Sequence, residues 1–455
     1  MNIEMIFWMI IASLIAVVIF TIIGFIPGTD ETSVLLPITL TVVLSGVPAI
    51  VVLTFFIASI VTLNITNTMP TALVGLPGGV MSSPMIESSI YLKNRGKSTH
   101  LIKKMAAASL IGILISVPIS LLVANLLIPF ANVIKPYASY LFILGAIFLS
   151  LISKNKILSL LSIIPLALLF QSIRHLYWGL EVVPTDKNIT VSFFLGITVG
   201  PLLVSLFSLL NKSLKNDQLV DEYNHIIIPK EDEKDKIINP FKLLTKKERK
   251  MASIGALIVN FFFILSPVGL TILSGNIVGN KIKDQDEKAT TSITTMSSVI
   301  QATYLSGIII PLLALGIPLS PVALGPGAAL FNAFPVYSID ENIHHLLSRF
   351  EFTTAVIVGA AISMFLSYII ITKFARKITN FILKKVPHES VLGLFLAFIL
   401  LLAYMDAGLI NVFGVLTIGL LSGSLNKLGV NYGVQFMSLY AAPLIISLLA
   451  GLIWR

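Results

Sequence analysis

Residues 5–26 run for 22 positions without a charged side chain, and runs of that kind recur to the end of the chain. A helix that crosses a bilayer needs about 20 mostly apolar residues. In hydrocarbon each unpaired backbone N–H or C=O costs several kcal/mol, so a crossing segment must close its hydrogen bonds internally. The expected fold is therefore an all-α polytopic membrane protein. Candidate spans in the first half are 5–26, 47–64, 105–130, 137–153, 157–171 and 191–210. The second half offers 252–273, 299–317, 353–372, 388–405, 408–424 and 434–453. Shorter apolar pieces at 33–46, 70–80 and 319–334 are bounded by Pro and Gly. Composition agrees: 12% of the residues are charged, where a soluble chain carries about a quarter. The first run has no Lys or Arg before it and no small-residue cleavage pattern, so it reads as a retained helix.

A net charge of +9 suggests nucleic acid in a soluble chain, but here Lys and Arg gather in short loops. That is the distribution that sets membrane topology. The segment KNRGKSTHLIKK (93–104) holds five Lys/Arg and no acid, and 373–385 holds another five. Both are expected in the cytoplasm, together with the polar connector 211–250 and its ten Lys/Arg and eight Asp/Glu. Residues 154–156 fall on the same side, 172–190 on the other, and the N-terminus outside. Nucleic acid is not an expected partner; the lipid bilayer is. The chain has no cysteine, which excludes disulfides and thiolate chemistry.

The two halves align at an offset of 241. Pro70 then falls on Pro311, Gly75 on Gly316 and Pro77 on Pro318. The basic loop 93–104 maps onto 334–345, which has no Lys or Arg but contains Asp340 and Glu341. The basic segment 373–385 maps onto 132–144, which holds only Lys135. Equivalent loops with opposite charge bias imply two halves lying upside down relative to each other, as in secondary transporters. The expected organisation is a first transmembrane repeat (1–210), a cytoplasmic connector (211–250) and a second, inverted repeat (251–455). Its discontinuous or re-entrant helices would meet near the bilayer midplane.

The stretch NTMPTALVGLPGGVMSSP (67–84) breaks its backbone where an unbroken span is due. Pro70 and Pro77 remove donors, and Gly78-Gly79 permits geometry that other residues resist. Broken backbone survives at membrane depth only where protein or a watery cavity covers it. The first tip thus reads as Thr71, Gly75, Pro77, Gly78, Gly79, Ser82 and Ser83, approached by Asn64, Asn67 and Thr68. The second reads as Gly316, Pro318 and Ser320, approached by Gln301 and Thr303. Pro and Gly also kink ordinary spanning helices, but breaks at matched positions in both halves favour a binding site. Helix starts facing one another favour an anion, each by about 0.3–1 kcal/mol.

Asp30 and Glu31, in PGTDETSVLLPIT (27–39), are candidates for a coupling proton or Na⁺, or a capping pair at the interface. No other metal or cofactor is expected. Arg174, His175 and Glu181 read as an outer loop, Asp406 as a turn between spans, and His344 and His345 as surface residues. No G-x-S-x-G, H-E-x-x-H or P-loop is present, so an enzyme is not expected.

These segments resemble a known family, the large membrane subunit (TctA) of tripartite tricarboxylate transporters. The similarity lies in LPGGVMSSPMIESSIYLKNRGKS (76–98), PGTDETSVLLPIT (27–39), LLTKKERK (243–250) and IIPLLALGIPLSP (309–321). It departs where Asp30 and Glu31 replace a Gly and a Pro, and where Gln301-Ala302 replaces a pair of Asn. The resemblance implies a permease for a small organic anion, a di- or tricarboxylate, coupled to H⁺ or Na⁺. It also implies a small membrane subunit and an extracytoplasmic binding protein as partners. Alternatives are a stand-alone carrier or flippase for a larger anion such as a phosphorylated lipid carrier, and a non-transporting scaffold or receptor. Oligomeric assembly is compatible with all three.

Overall fold

The computed structural model describes residues 2–26, 31–74, 78–151, 153–183, 190–210, 239–338, 340–385 and 388–453. Among these the regular structure is helical, and one isolated bridge joins Ala333 to Tyr337. Among the described residues, eight helices are long and apolar enough to cross a membrane. The protein is an all-α polytopic membrane protein.

The first half contains α1 (Ile3–Gly24), α2 (Glu31–Leu44), α3 (Ala49–Thr66), α4 (Met69–Val74) and α5 (Ile86–Lys93). It continues with α6 (Ser98–Leu127), α7 (Ala138–Leu151), α8 (Lys156–Gly179) and α9 (Thr190–Leu210). The second half contains α10 (Lys246–Val259), α11 (Pro267–Gly279), α12 (Gln285–Ile310), α13 (Arg349–Lys385), α14 (His388–Lys427) and α15 (Tyr432–Ile453).

Two helices form the centre. The apolar window of Ala49–Leu73 is 94% buried and that of Gln285–Leu315 fully buried, while lipid-facing spans such as Lys156–Gly179 reach 33%. Around them the halves interleave. Helix α3 packs on α1 of its own half and α13 of the other; α12 packs on α10 of its own half and α6 of the other. The central pair is joined where Gln301 Nε2 on α12 donates to the Val61 carbonyl on α3 at 3.2 Å. Outside this core, α9 packs on α14, and α15 packs on α7 and α8.

Polar contacts and cavities fix which segments share an end. Arg95 and Lys97 pair with Asp286, and Lys104 Nζ pairs with Glu248 Oε1 at 2.7 Å. Lys103 and Arg376 line one cavity there. At the opposite end Asn2, Glu4, Pro48 and Glu351 line another. The basic segments 93–104 and 373–380 therefore share one end of the bundle, and the N-terminus lies at the other. Of the connector 211–250, only 239–250 is among the described residues.

Three sequence expectations change. The single span at 252–273 is two helices: α10 ends at Val259, and Ser266 caps α11, with Pro267 as its first residue. The break, NFFFILS (260–266), is mostly apolar, so hydropathy did not mark it. The span expected at 299–317 begins earlier, at Gln285, and runs through a polar stretch that is buried from Thr291 onward. Its hydroxyls bond the preceding turn (Thr294 to Thr290 O, Thr295 to Thr291 O, Ser297 to Ile293 O), which lets them lie inside. Arg174 and His175 sit on α8, not on a loop. Arg174 donates to Gln171 Oε1 at 3.0 Å and lies over the Phe193 ring, so the helix continues through them.

Helix α14 is not one rod. Ala407 and Gly408 leave helical geometry, and Asn411 Nδ2 donates to the Ala403 carbonyl at 2.7 Å. Eight residues of straight helix span about 12 Å, beyond an asparagine's reach. The chain turns back there, and the spans expected at 388–405 and 408–424 are the two arms. Asp406 sits at the turn and accepts from Ser192 Oγ.

Candidate substrate site

The first tip begins where α3 ends at Thr66. Asn67 and Thr68 make a turn, the short α4 follows, and the chain comes back at Gly78. A Cβ on Gly78 would lie 1.8 Å from the Asn67 carbonyl oxygen and 2.2 Å from Asn67 Oδ1, so only glycine fits. Gly78 N–H donates to Thr71 Oγ1 at 3.4 Å, and Gly79 N–H to Ser82 Oγ at 3.2 Å. The hydroxyls thus hold backbone groups that the broken helix releases. Asp30, Gly75 and Pro77 lie outside the described residues, as does the side chain of Ser83.

The second tip is built differently. Helix α12 widens into a π turn over Pro311–Leu315 and stops at Gly316, whose φ of +67° is left-handed. Pro318 is buried. Ser320 then caps a single helical turn, Pro321–Leu324, accepting from Ala323 N–H at 3.0 Å and donating to the Gly307 carbonyl. Asn342 Nδ2 donates to the Gly316 carbonyl at 3.0 Å, and His344 Nδ1 lies 3.1 Å from the Leu313 carbonyl. His344 is therefore not simply a surface residue: it packs on the second tip. Nothing in the sequence marks this, because an adjacent His pair beside Asp340 and Glu341 has the composition of an exposed loop.

Both tips reach one cleft of ≈ 390 Å³. Met81 comes from the first, Tyr304, Pro321 and Val322 from the second, and Glu31 and Thr32 from the start of α2. The far wall belongs to the outer bundle and includes Lys154 and Asn431. Sequence reasoning missed that wall. Lys154 reads as a topology signal, and Asn431 carries no signal at all.

Glu31 is 2% exposed and accepts a hydrogen bond from Asn67 Nδ2 at 2.7 Å, which ties α2 to the first tip. Next to this pair is a row of carboxamides. Val61 and Asn64 on α3 and Asn67, which caps it, follow one another every three residues, about 4.5 Å of rise apart. Gln301 docks on the first of them. Asn64 Oδ1 and Nδ2, Asn67 Oδ1 and Gln301 Oε1 are all buried with no hydrogen-bond partner among the described residues. An unmet buried polar group costs about 1–3 kcal/mol, so four in one place mark a ligand position better than a structural one. By contrast, Thr68 and Thr303 bond their own helices, at the carbonyls of Ile65 (2.8 Å) and Ile300 (3.0 Å).

A model of the tripartite tricarboxylate transporter TctA family matches residues 10–434. The chain belongs to the TctA family. It is thus a membrane component of a tripartite tricarboxylate transport system, and all four motifs that carry the resemblance lie within the matched residues. No curated protein and no solved structure matches this TctA protein.

Proposed function

We propose that the protein is the permease of a secondary carrier that moves a small di- or tricarboxylate through the cleft between the two tips. The observation that carries this reading is one cleft bordered by Met81 of the first tip, by Pro321 and Val322 of the second and by the buried Glu31, whose partner Asn67 belongs to a set of three amide groups with four unmet atoms. In this reading Thr71, Ser82 and Ser320 hold the tip backbone in place, and Lys154 on the facing wall draws the anion into the cleft. Glu31 and the carboxamide oxygens of Asn64, Asn67 and Gln301 handle a coupling Na⁺ or proton; oxygen donors of this kind suit a hard cation.

An inverted repeat of 1–210 and 251–455 is part of the proposal. It is supported by the ends at which equivalent helices begin. At the offset of 241, α1 corresponds to α10 and α3 to α12. The first of each pair starts at the end holding Asn2 and Pro48, and the second at the end holding Glu248 and Asp286. The basic end would face the cytoplasm, the side that Lys and Arg prefer. The remaining components would be a small membrane subunit and an extracytoplasmic binding protein.

The test is uptake of labelled di- and tricarboxylates into proteoliposomes holding the protein and its partner subunits, under imposed Na⁺ or proton gradients. Gradient-driven accumulation of at least one carboxylate is expected. Folded protein that accumulates none under either gradient would overturn the proposal.

A further inference from the structure

Helices α10 and α11 pack on α12 in opposite senses. In the first turns Lys247 Nζ of α10 pairs with Glu287 Oε1 of α12 at 3.1 Å. Further along, Ala256 and Val259 of α10, Leu270 of α11 and Val299 and Ala302 of α12 form one buried cluster. From that level α11 runs back. Ser292 Oγ of α12 donates to the Gly275 carbonyl at 3.2 Å, and a Cβ on Gly279 would lie 2.9 Å from the same Oγ. The 14 residues of α10 and the 13 of α11 each measure about 20 Å. The pair is therefore a re-entrant hairpin that enters from the basic end. It turns at the level of Ala302, near the middle of the 31-residue span Gln285–Leu315.

Broken backbone at this depth needs an anchor, since lipid offers it no hydrogen bonds. At the turn Phe261 and Phe262 are 58% and 48% exposed, whereas Asn260 is fully buried. Asn260 Oδ1 accepts from Ser116 Oγ at 2.7 Å and from Ser120 Oγ at 2.8 Å, both on α6. Its Nδ2 donates to the Ala256 carbonyl at 2.6 Å. The carboxamide thus ties the turn to a helix of the other half. Shortly beyond it, Ser266, Pro267, Val268 and Gly269 line the transport cleft. This wall is the start of a helix, where free N–H groups and the dipole favour an anion, so its height in the bilayer bears on substrate affinity.

We propose that Asn260, held by Ser116 and Ser120, is a positioning residue for transport: it fixes the depth at which the amino end of α11 borders the cleft. The proposal rests on the reading of that cleft as the substrate path. Its test is carboxylate uptake by proteoliposomes under the gradient that drives the parent, read as apparent KM and maximal rate, with the melting temperature in detergent alongside. Asn260→Ala and the double variant Ser116→Ala/Ser120→Ala are each expected to raise the apparent KM about ten-fold and to leave the maximal rate within about two-fold. Combining all three substitutions is expected to add nothing, because either change cuts the same tie. Lys104→Met, which loosens α10 on α6 at the basic end, is expected to lower the melting temperature at an unchanged KM. If Asn260→Ala does not insert, Ser116→Ala or Ser120→Ala alone carries the test with about a three-fold rise. An unchanged KM in the turn variants, additive effects in the combined one, or an equal rise in Lys104→Met would overturn this proposal and leave the transport reading standing. A parent that takes up no carboxylate overturns both.

Discussion

Gly78 and Asn67 meet so closely that the first tip has room for no other residue at position 78. A valine there would put its Cβ 1.8 Å from the Asn67 carbonyl oxygen, so the returning chain would have to move away from α3. Gly78→Val is therefore expected to abolish uptake in proteoliposomes while membrane insertion and expression stay at the parent's level. Full activity in that variant would remove the tip from the site. A second residue-scale prediction concerns Glu31. Glu31→Gln keeps an oxygen for the Asn67 amide at the 2.7 Å contact but removes the charge. Uptake by this variant should lose its dependence on the imposed ion gradient, falling at least ten-fold under a gradient and little without one. A variant that responds to the gradient like the parent would assign the coupling ion elsewhere.

At the scale of elements, the docking of α10 on α6 rests on an ion pair withdrawn from water. Lys104 and Glu248 side chains are 9% and 2% exposed, and Glu248 Oε2 also accepts the Thr245 N–H at 2.9 Å in the capping box that starts α10. Removing one partner strands the other charge, which typically costs about 3–5 kcal/mol. Lys104→Met should lower the melting temperature in detergent clearly, and Lys104→Met with Glu248→Gln should recover most of that loss. Equal melting of the single and double variants would show that the stranded charge is not the cause. Most helices were legible in the sequence because lipid demands long apolar runs: α1, α3, α9 and α15 lie within a few residues of their expected bounds. What hydropathy hid was of two kinds. The break before α11 is mostly apolar, so only Asn260, Ser266 and Pro267 mark it. The first half of α12 is rich in Ser and Thr, which look like loop until their hydroxyls are seen bonding their own helix. In the site, the carboxamides of Asn64, Asn67 and Gln301 stood out as polar groups in apolar surroundings. The outer wall did not, because Lys154 and Asn431 acquire meaning only when the second bundle packs against the first.

For the whole molecule, the arrangement of ends yields a topology experiment that the cysteine-free sequence makes simple. Single substitutions Lys97→Cys and Lys377→Cys lie at the basic end, while Ser45→Cys and Ser348→Cys lie near Pro48 and Glu351 at the other. In right-side-out vesicles a membrane-impermeant maleimide should label the second pair and spare the first, and in inverted vesicles the reverse. Labelling of one member from each pair in the same vesicles would contradict the arrangement of ends.

The interleaving of the halves bears on how the protein is made. Helix α3, the most enclosed segment of the first half, has α13 as one of its two flanks, and α13 begins only at Arg349. Until the ribosome has passed that point, α3 lacks one flank and its Thr62 lacks the Ser367 hydroxyl it meets in the finished fold, and α6 likewise waits for α12. Biogenesis of this protein therefore has a long interval in which polar groups at membrane depth need a temporary companion, from the insertion machinery or from lipid. Chains truncated ahead of Arg349 should be substrates for membrane proteolysis rather than half-carriers.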